Sequence, residues 1–219
     1  MTKSKPYPSE RARVRRYPPF ARYDQETIYA IIDAGLVCQI GYVIDGSPYV
    51  TPTNYWRIDD YVYWHGSSAS RMLKNQQKGI EVCFSVTHLD GVQFARANFN
   101  HNVWYRSVMA FGKAEIVDDA TKLASLETFV NRVSPDAWEY ARLPTEQELK
   151  ASKVLRLRLD EVSAKVNGNV TTADDEADLA SDRWGGTIPL RIIQGDPIPD
   201  PRLSPDISMP DFVKNYQYK

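Results

Sequence analysis

The sequence predicts a mainly β protein, a mostly antiparallel barrel with short helices at its periphery. Three observations carry that reading. Runs rich in β-branched and aromatic residues recur along the chain, Tyr61-Val62-Tyr63-Trp64-His65 being the clearest. Most are joined by tight turns such as Asp45-Gly46-Ser47-Pro48. No strand–helix–strand rhythm of the parallel kind interrupts them. At 219 residues the chain suits one barrel domain with extensions, and it is long enough to bury a core without staples.

Residues 1–22 carry Pro6, Pro8, Pro18 and Pro19 among Arg11, Arg13, Arg15, Arg16 and Arg22, which predicts an extended N-terminal arm. The barrel domain is expected over 23–195. It opens on a helix, Thr27–Ala34, capped by Asp24 and stopped by Gly35. Leu36–Ile44 and Tyr49–Arg57 read as a hairpin, and Tyr61–His65 as a third strand. Beyond Gly66-Ser67-Ser68, residues Ser70–Gln77 read as a short helix. Ile80–Val86 and Val92–Ala97 read as a second hairpin around Asp90-Gly91, and Val103–Val117 as one long strand bent near Gly112.

Asp118-Asp119 then caps a helix whose Leu123, Leu126, Phe129, Val130 and Val133 form an apolar stripe, the mark of a core-facing surface. Thr145 and Glu148 make a capping box for a helix over 145–151. Val154–Val166 alternates as one half-buried strand. Residues 167–183 are turn-rich and acidic and read as a solvated loop; Trp184–Leu190 restores order. The segment 196–219 holds Pro197, Pro199, Pro201, Pro205 and Pro210 and is expected to run over a surface.

Composition narrows the function. Lys and Arg number 27 against 28 Asp and Glu, a net charge of -1, which disfavours a globally basic nucleic-acid binder. Cys38 and Cys83 sit in apolar runs with no metal-like spacing and read as reduced core thiols. No apolar run approaches the roughly 18 residues of a membrane span. Met1–Pro6 lacks a signal-peptide apolar core, so a cytoplasmic location is expected.

Four places could carry chemistry. At Trp64-His65-Gly66-Ser67-Ser68-Ala69-Ser70-Arg71, hydroxyls, amides and a guanidinium converge where a strand hands over to a helix, a set suited to phosphate. In Asn102-Val103-Trp104-Tyr105-Arg106-Ser107, Arg106 and Ser107 offer donors beside aromatic rings. In Val50-Thr51-Pro52, the proline removes a ladder donor and loosens the strand. In Trp184-Gly185-Gly186, an indole stands beside glycines that permit close approach. Taken alone, each of these is better explained by an ordinary structural role. Of the three histidines, His65 is best placed for a proton relay, whereas His88 and His101 read as exposed. There is no Gly-x-Gly-x-x-Gly, P-loop, zinc cluster or nucleophile elbow.

Taken in order, Val50-Thr51-Pro52, Tyr63-Trp64-His65-Gly66-Ser67 with Ser70-Arg71, Tyr105-Arg106-Ser107-Val108, Ser163-Ala164-Lys165 and Trp184-Gly185-Gly186-Thr187-Ile188-Pro189 resemble one family. It is the pyridoxamine 5′-phosphate oxidase-like FMN-binding proteins, and within them the flavin-nucleotide-binding branch that includes nitroimidazole-resistance (Nim-type) proteins. The likeness spans roughly residues 20–195. It implies a split β-barrel forming a homodimer with FMN at the interface. By position, Ser67, Ser70 and Arg71, with Gly66, would hold the phosphate, and Val50, Thr51 and Pro52 would line the ring edge. Tyr105, Arg106 and Ser107 would contact FMN, Lys165 and Trp184 would close the site, and His65 would be the catalytic histidine. Met72 stands where true pyridoxamine-phosphate oxidases have a lysine, which argues against vitamin B6 oxidation. Some relatives of this barrel bind haem or deazaflavin instead.

The expected function is therefore an FMN-dependent oxidoreductase acting on a small molecule with a nicotinamide or other electron donor. The alternative is a flavin carrier or sensor without turnover. Neither nucleic acid nor membrane is an expected partner.

Overall fold

The computed structural model describes residues 7–218; Pro6 and the rest of the arm before it lie outside them. Among the described residues no helix is long and apolar enough to cross a membrane. The chain runs through a 3-10 turn (Pro18–Phe20), β1 (Ala21–Arg22), α1 (Gln25–Asp33), β2 (Val37–Ile44), β3 (Ser47–Ile58), β4 (Tyr61–Ser67) and α2 (Arg71–Gln76). Then come β5 (Glu81–Phe94), β6 (Asn102–Lys113), β7 (Glu115–Ile116), α3 (Asp119–Val133), α4 (Ala137–Tyr140) and α5 (Glu146–Ala151). The last elements are β8 (Ser152–Arg158), β9 (Glu161–Asn167), α6 (Glu176–Leu179), β10 (Gly186–Pro189) and α7 (Asp211–Lys214).

All pairings are antiparallel, in the order β1-β9-β6-β5-β2-β3-β4-β8-β7, with β10 added to β5. The path does not close on itself, as a split barrel requires. Its concave side buries Ile40, Phe84, Val108, Ala110 and Ala164, and α1 inserts Ile28, Ile31 and Ile32 into the same core. Asp24 fixes the start of α1 by accepting the Thr27 N–H at 2.8 Å. A second, smaller cluster of Trp56, Tyr63, Val117 and Val154 lies on the other face of the β3–β4–β8 portion, under Leu126 and Phe129 of α3.

Several elements depart from the sequence expectation. The first hairpin turns on Asp45 and Gly46 alone, both at positive φ (49° and 76°), so Ser47 and Pro48 already belong to β3. Asp90-Gly91 is no turn. β5 runs straight through it with a register shift between Leu89 and Gly91. The aspartate faces Arg106 across the ladder (Nε–Oδ2 3.1 Å). The glycine is needed because a Cβ there would stand 3.1 Å from the Ile188 carbonyl and 3.3 Å from the Trp104 ring. Conversely, Val154–Val166 is two strands, folded back at Leu159-Asp160. Alternation continues through that turn, so periodicity alone could not reveal it.

The arm packs on its own barrel. Ala12 is buried, and Arg11 bonds both Glu81 (2.7 Å) and Glu161. In the acidic segment, Asp174 is an anchor instead of a solvated charge. Its carboxylate accepts the N–H groups of Arg96 (2.9 Å) and Ala97 (3.2 Å), the Asn100 amide (3.1 Å) and the Thr172 hydroxyl (2.8 Å).

Candidate functional site

The Ser67–Arg71 corner, expected from sequence to suit phosphate, forms where β4 meets α2. Ser70 stands at the N-cap in extended backbone with its hydroxyl unused for capping, and Ser67 Oγ accepts the Ala69 N–H at 3.2 Å. Arg71 is exposed and has no carboxylate partner among the described residues. Its guanidinium lies 4.4 Å above the Tyr49 ring. Tyr49 stacks on Tyr42 (5.6 Å, 16°), whose hydroxyl meets Thr51 Oγ1 at 2.9 Å. A chain of contacts thus links Arg71 to Thr51 through two tyrosines.

Strand alternation sorts the remaining candidates. Cys38, Ile40 and Tyr42 point into the core, so Val37, Gln39, Gly41 and Val43 point out; register carries the same division to the other strands. Val50, Pro52, Tyr105, Ser107 and Lys165 all share this outer face. Thr51 and Arg106 point inward, the latter held by Asp90. Lys165 Nζ lies 5.8 Å from the Tyr17 ring and 5.7 Å from the Tyr105 ring. Two strands separate β3 from β6, about 14 Å at the usual interstrand spacing. Within one chain, Val50 and Pro52 therefore do not meet Tyr105, Ser107 and Lys165. Trp184, 67% exposed, is farther along, beside Phe94 (6.0 Å) at the β10 end. Gly185 is small because a Cβ would reach 2.7 Å from Arg96 Nη1.

His65 faces the other way. Val62 and Trp64 of β4 enter the main core, so His65 points with Tyr63 toward α3. Its ring lies 4.9 Å from Phe129 and 5.8 Å from Trp56. Nδ1 is buried and has no partner. Desolvation pushes the imidazole below its ordinary 6.5, toward the neutral form. The ring lines a cavity of about 480 Å3 together with Leu126, Phe129, Val130, Trp138 and Leu149. The α3 stripe, expected to be core, thus walls a cavity over part of its length, while Leu123 at its start is exposed. Arg142 stands at the rim, paired with Glu148 at 2.7 and 2.9 Å. Glu148 is held down to about 2, first by Arg142 and then by Thr145.

Phe129, Trp138, Arg142 and Leu149 were not legible as site residues. The stripe in α3 was the one available signal, and a buried face and a cavity wall look alike in sequence. His88, expected to be exposed, is tucked under α1, where its Nε2 meets the Ile31 carbonyl at 2.9 Å. His101 is exposed as expected.

The profile of the pyridoxamine 5′-phosphate oxidase family matches residues 24–166. The chain belongs to this family. Among solved structures, the flavocytochrome Anf3 from Azotobacter vinelandii is 42% identical, covers 97% of this chain and 99% of its own, and superposes with a TM-score of 0.92. A FAD- and haem-binding protein from Mycobacterium smegmatis is 29% identical over 89% of this chain and 96% of its own, with a TM-score of 0.86. A 5-nitroimidazole antibiotic resistance protein from Bacteroides thetaiotaomicron shares the fold at 21% identity, over 67% of this chain and 86% of its own, with a TM-score of 0.57. No curated protein matches this family member.

Proposed function

We propose that this protein is a redox protein holding two cofactors, a flavin nucleotide at the outer sheet face and a haem in the His65 cavity. One observation carries the haem half: an imidazole whose buried Nδ1 has no partner forms part of the wall of a mostly apolar cavity of about 480 Å3, a size that suits a cofactor. Among the described residues no cluster of three His, Cys, Asp or Glu side chains exists to hold a bare ion. A lone imidazole suits a metal that brings its own macrocycle. The resemblance to a flavocytochrome across nearly the whole of both chains supports the same reading.

When bound, the flavin supplies one- or two-electron transfer and the haem iron one-electron transfer. The protein's own work is placement. Phe129 and Trp56 hold the His65 plane, and Leu126, Val130 and Leu149 give it apolar walls. Ser67, Ser70 and Arg71 offer donors to a flavin phosphate. FAD is preferred to the FMN expected from sequence, because the Mycobacterium relative that matches over most of its length binds FAD and haem together. We read a homodimer from the outer face, where Val37, Val43, Val50, Leu89 and Met109 are exposed on β2, β3, β5 and β6. A second copy docked there is how Val50 and Pro52 would meet Tyr105, Ser107 and Lys165 around one flavin. With Cys38 buried and no disulfide joining it to Cys83, a cytoplasmic location suits the chain.

The test is an absorption spectrum of freshly purified protein, followed by mass identification of what it releases. Flavin bands together with a Soret band, with FAD and haem in the extract, are expected. Protein that stays colourless after reconstitution with both cofactors contradicts the proposal.

A further inference from the structure

Among the described residues Arg142 is the one cation lining the His65 cavity, and it sits at the mouth, while the wall beyond it is largely apolar. Its guanidinium makes hydrogen bonds to Glu148 Oε1, Glu148 Oε2 and the Leu143 carbonyl, three bonds from a group with five N–H donors. Donors therefore remain for a ligand. Glu148 is itself fixed by the Thr145 N–H (2.8 Å) and hydroxyl (3.1 Å), inside the capping box of α5. The arginine is thus held through its Nη1–Nη2 edge by a fixed carboxylate, with its Nε–Nη2 edge left over, at the mouth of an apolar pocket whose wall includes an imidazole.

We infer that Arg142 is a specificity residue that takes a peripheral carboxylate of the cavity ligand and so decides which edge of the macrocycle faces solvent. The inference rests on the haem half of the proposed function. It deepens that reading by defining the ligand as an amphipathic, carboxylate-bearing macrocycle, held by its metal at His65 and by its acidic edge at the rim. A fully esterified macrocycle would find the same apolar walls and the same imidazole but no charged partner for the fork, and would leave Arg142 with only Glu148 and the Leu143 carbonyl. The fork geometry matters as well as the charge, because a planar guanidinium pairs with carboxylates in two parallel bonds and an ammonium does not.

The experiment titrates haem b and its dimethyl ester into full-length apoprotein, for wild type, Arg142→Gln, Arg142→Lys and His65→Ala, reading affinity from the absorption change. Wild type should prefer the free acid over the ester by about tenfold, the worth of one charge-assisted hydrogen bond at a partly exposed rim. R142Q should lose that preference while keeping its affinity for the ester, and R142K should recover part of it. Equal preference in wild type and R142Q overturns the inference and leaves the haem reading standing, provided H65A weakens both ligands. If wild type and H65A take up neither ligand, or both equally, the reading and the inference fail together. Circular dichroism of the variants checks that the exposed Arg142 is not needed for folding.

Discussion

The His65 imidazole and the Phe129 ring pack 4.9 Å apart at 53°, joining the end of β4 to the middle of α3 across the face of the sheet that the main core does not use. Strand alternation turns the histidine away from the Ser67–Arg71 corner, and this contact together with Trp56 holds it at the cavity wall. Two adjacent stretches of sequence thereby reach two different surfaces of the fold.

The neutral state of His65 should leave a signature in stability. Its folded pKa lies below the unfolded value near 6.5, so the unfolded chain binds the proton more readily. The histidine adds no pH-dependent cost well above pH 6.5 and opposes folding increasingly as pH falls below it. Denaturant unfolding of the apoprotein between pH 7.5 and about 5 should show stability falling toward acid, and His65→Gln should flatten that slope. A variant with an unchanged slope would mean that His65 does not titrate against burial.

Arg71→Ala should weaken flavin binding by roughly tenfold to a hundredfold, the worth of a charge-assisted bond to phosphate. Because Arg71 is exposed and its one ring contact is with Tyr49, the same change should shift stability by no more than about 1 kcal/mol. Fluorescence titration with FMN and FAD, beside a melting curve, separates the two effects.

Met109→Glu places a charge in the middle of the outer face, where methionine is 44% exposed in the single chain. Sedimentation should give twice the 25.0 kDa chain mass for wild type and a single chain mass for the variant, with flavin affinity lost alongside. Wild type sedimenting as one chain while still holding flavin would rule out a shared site.

Asp174→Asn should lower the melting temperature at neutral pH and reduce sensitivity to acid. Burial raises the Asp174 pKa, yet the bonds from Arg96, Asn100, Thr172 and Ala97 outweigh it and leave the carboxyl below its usual 3.8. That stabilisation is present above the unfolded value and is lost as pH falls below about 4. Thermal melts from pH 7 to 3 should show the wild-type and variant curves converging toward acid.

Much of the fold was legible because local rules and tertiary structure agree. Asp24 and Thr145 cap the helices they were expected to cap, and the Tyr61–His65 run is a central strand. The misreadings share a cause. Asp90-Gly91 has the composition of a hairpin turn, but its glycine answers to the close passage of β10 and Trp104 rather than to a change of chain direction. Asp174 looks like one charge among many until the Arg96–Asn100 segment wraps it. The corner at Ser67, Ser70 and Arg71 is local and could be read directly. The His65 cavity is assembled from α3, α4, α5 and the segments beside them, and no spacing rule brings Trp138, Arg142 and Leu149 to one histidine.

The most direct measurement is the absorption spectrum of apoprotein titrated with haem, for wild type and His65→Ala, without and with added imidazole. Wild type should reach a histidine-ligated spectrum at one haem per chain, His65→Ala should fail to, and free imidazole should restore the spectrum to the variant. A His65→Ala protein that binds haem as tightly as wild type, with the same spectrum and no response to imidazole, would show that His65 does not hold the iron.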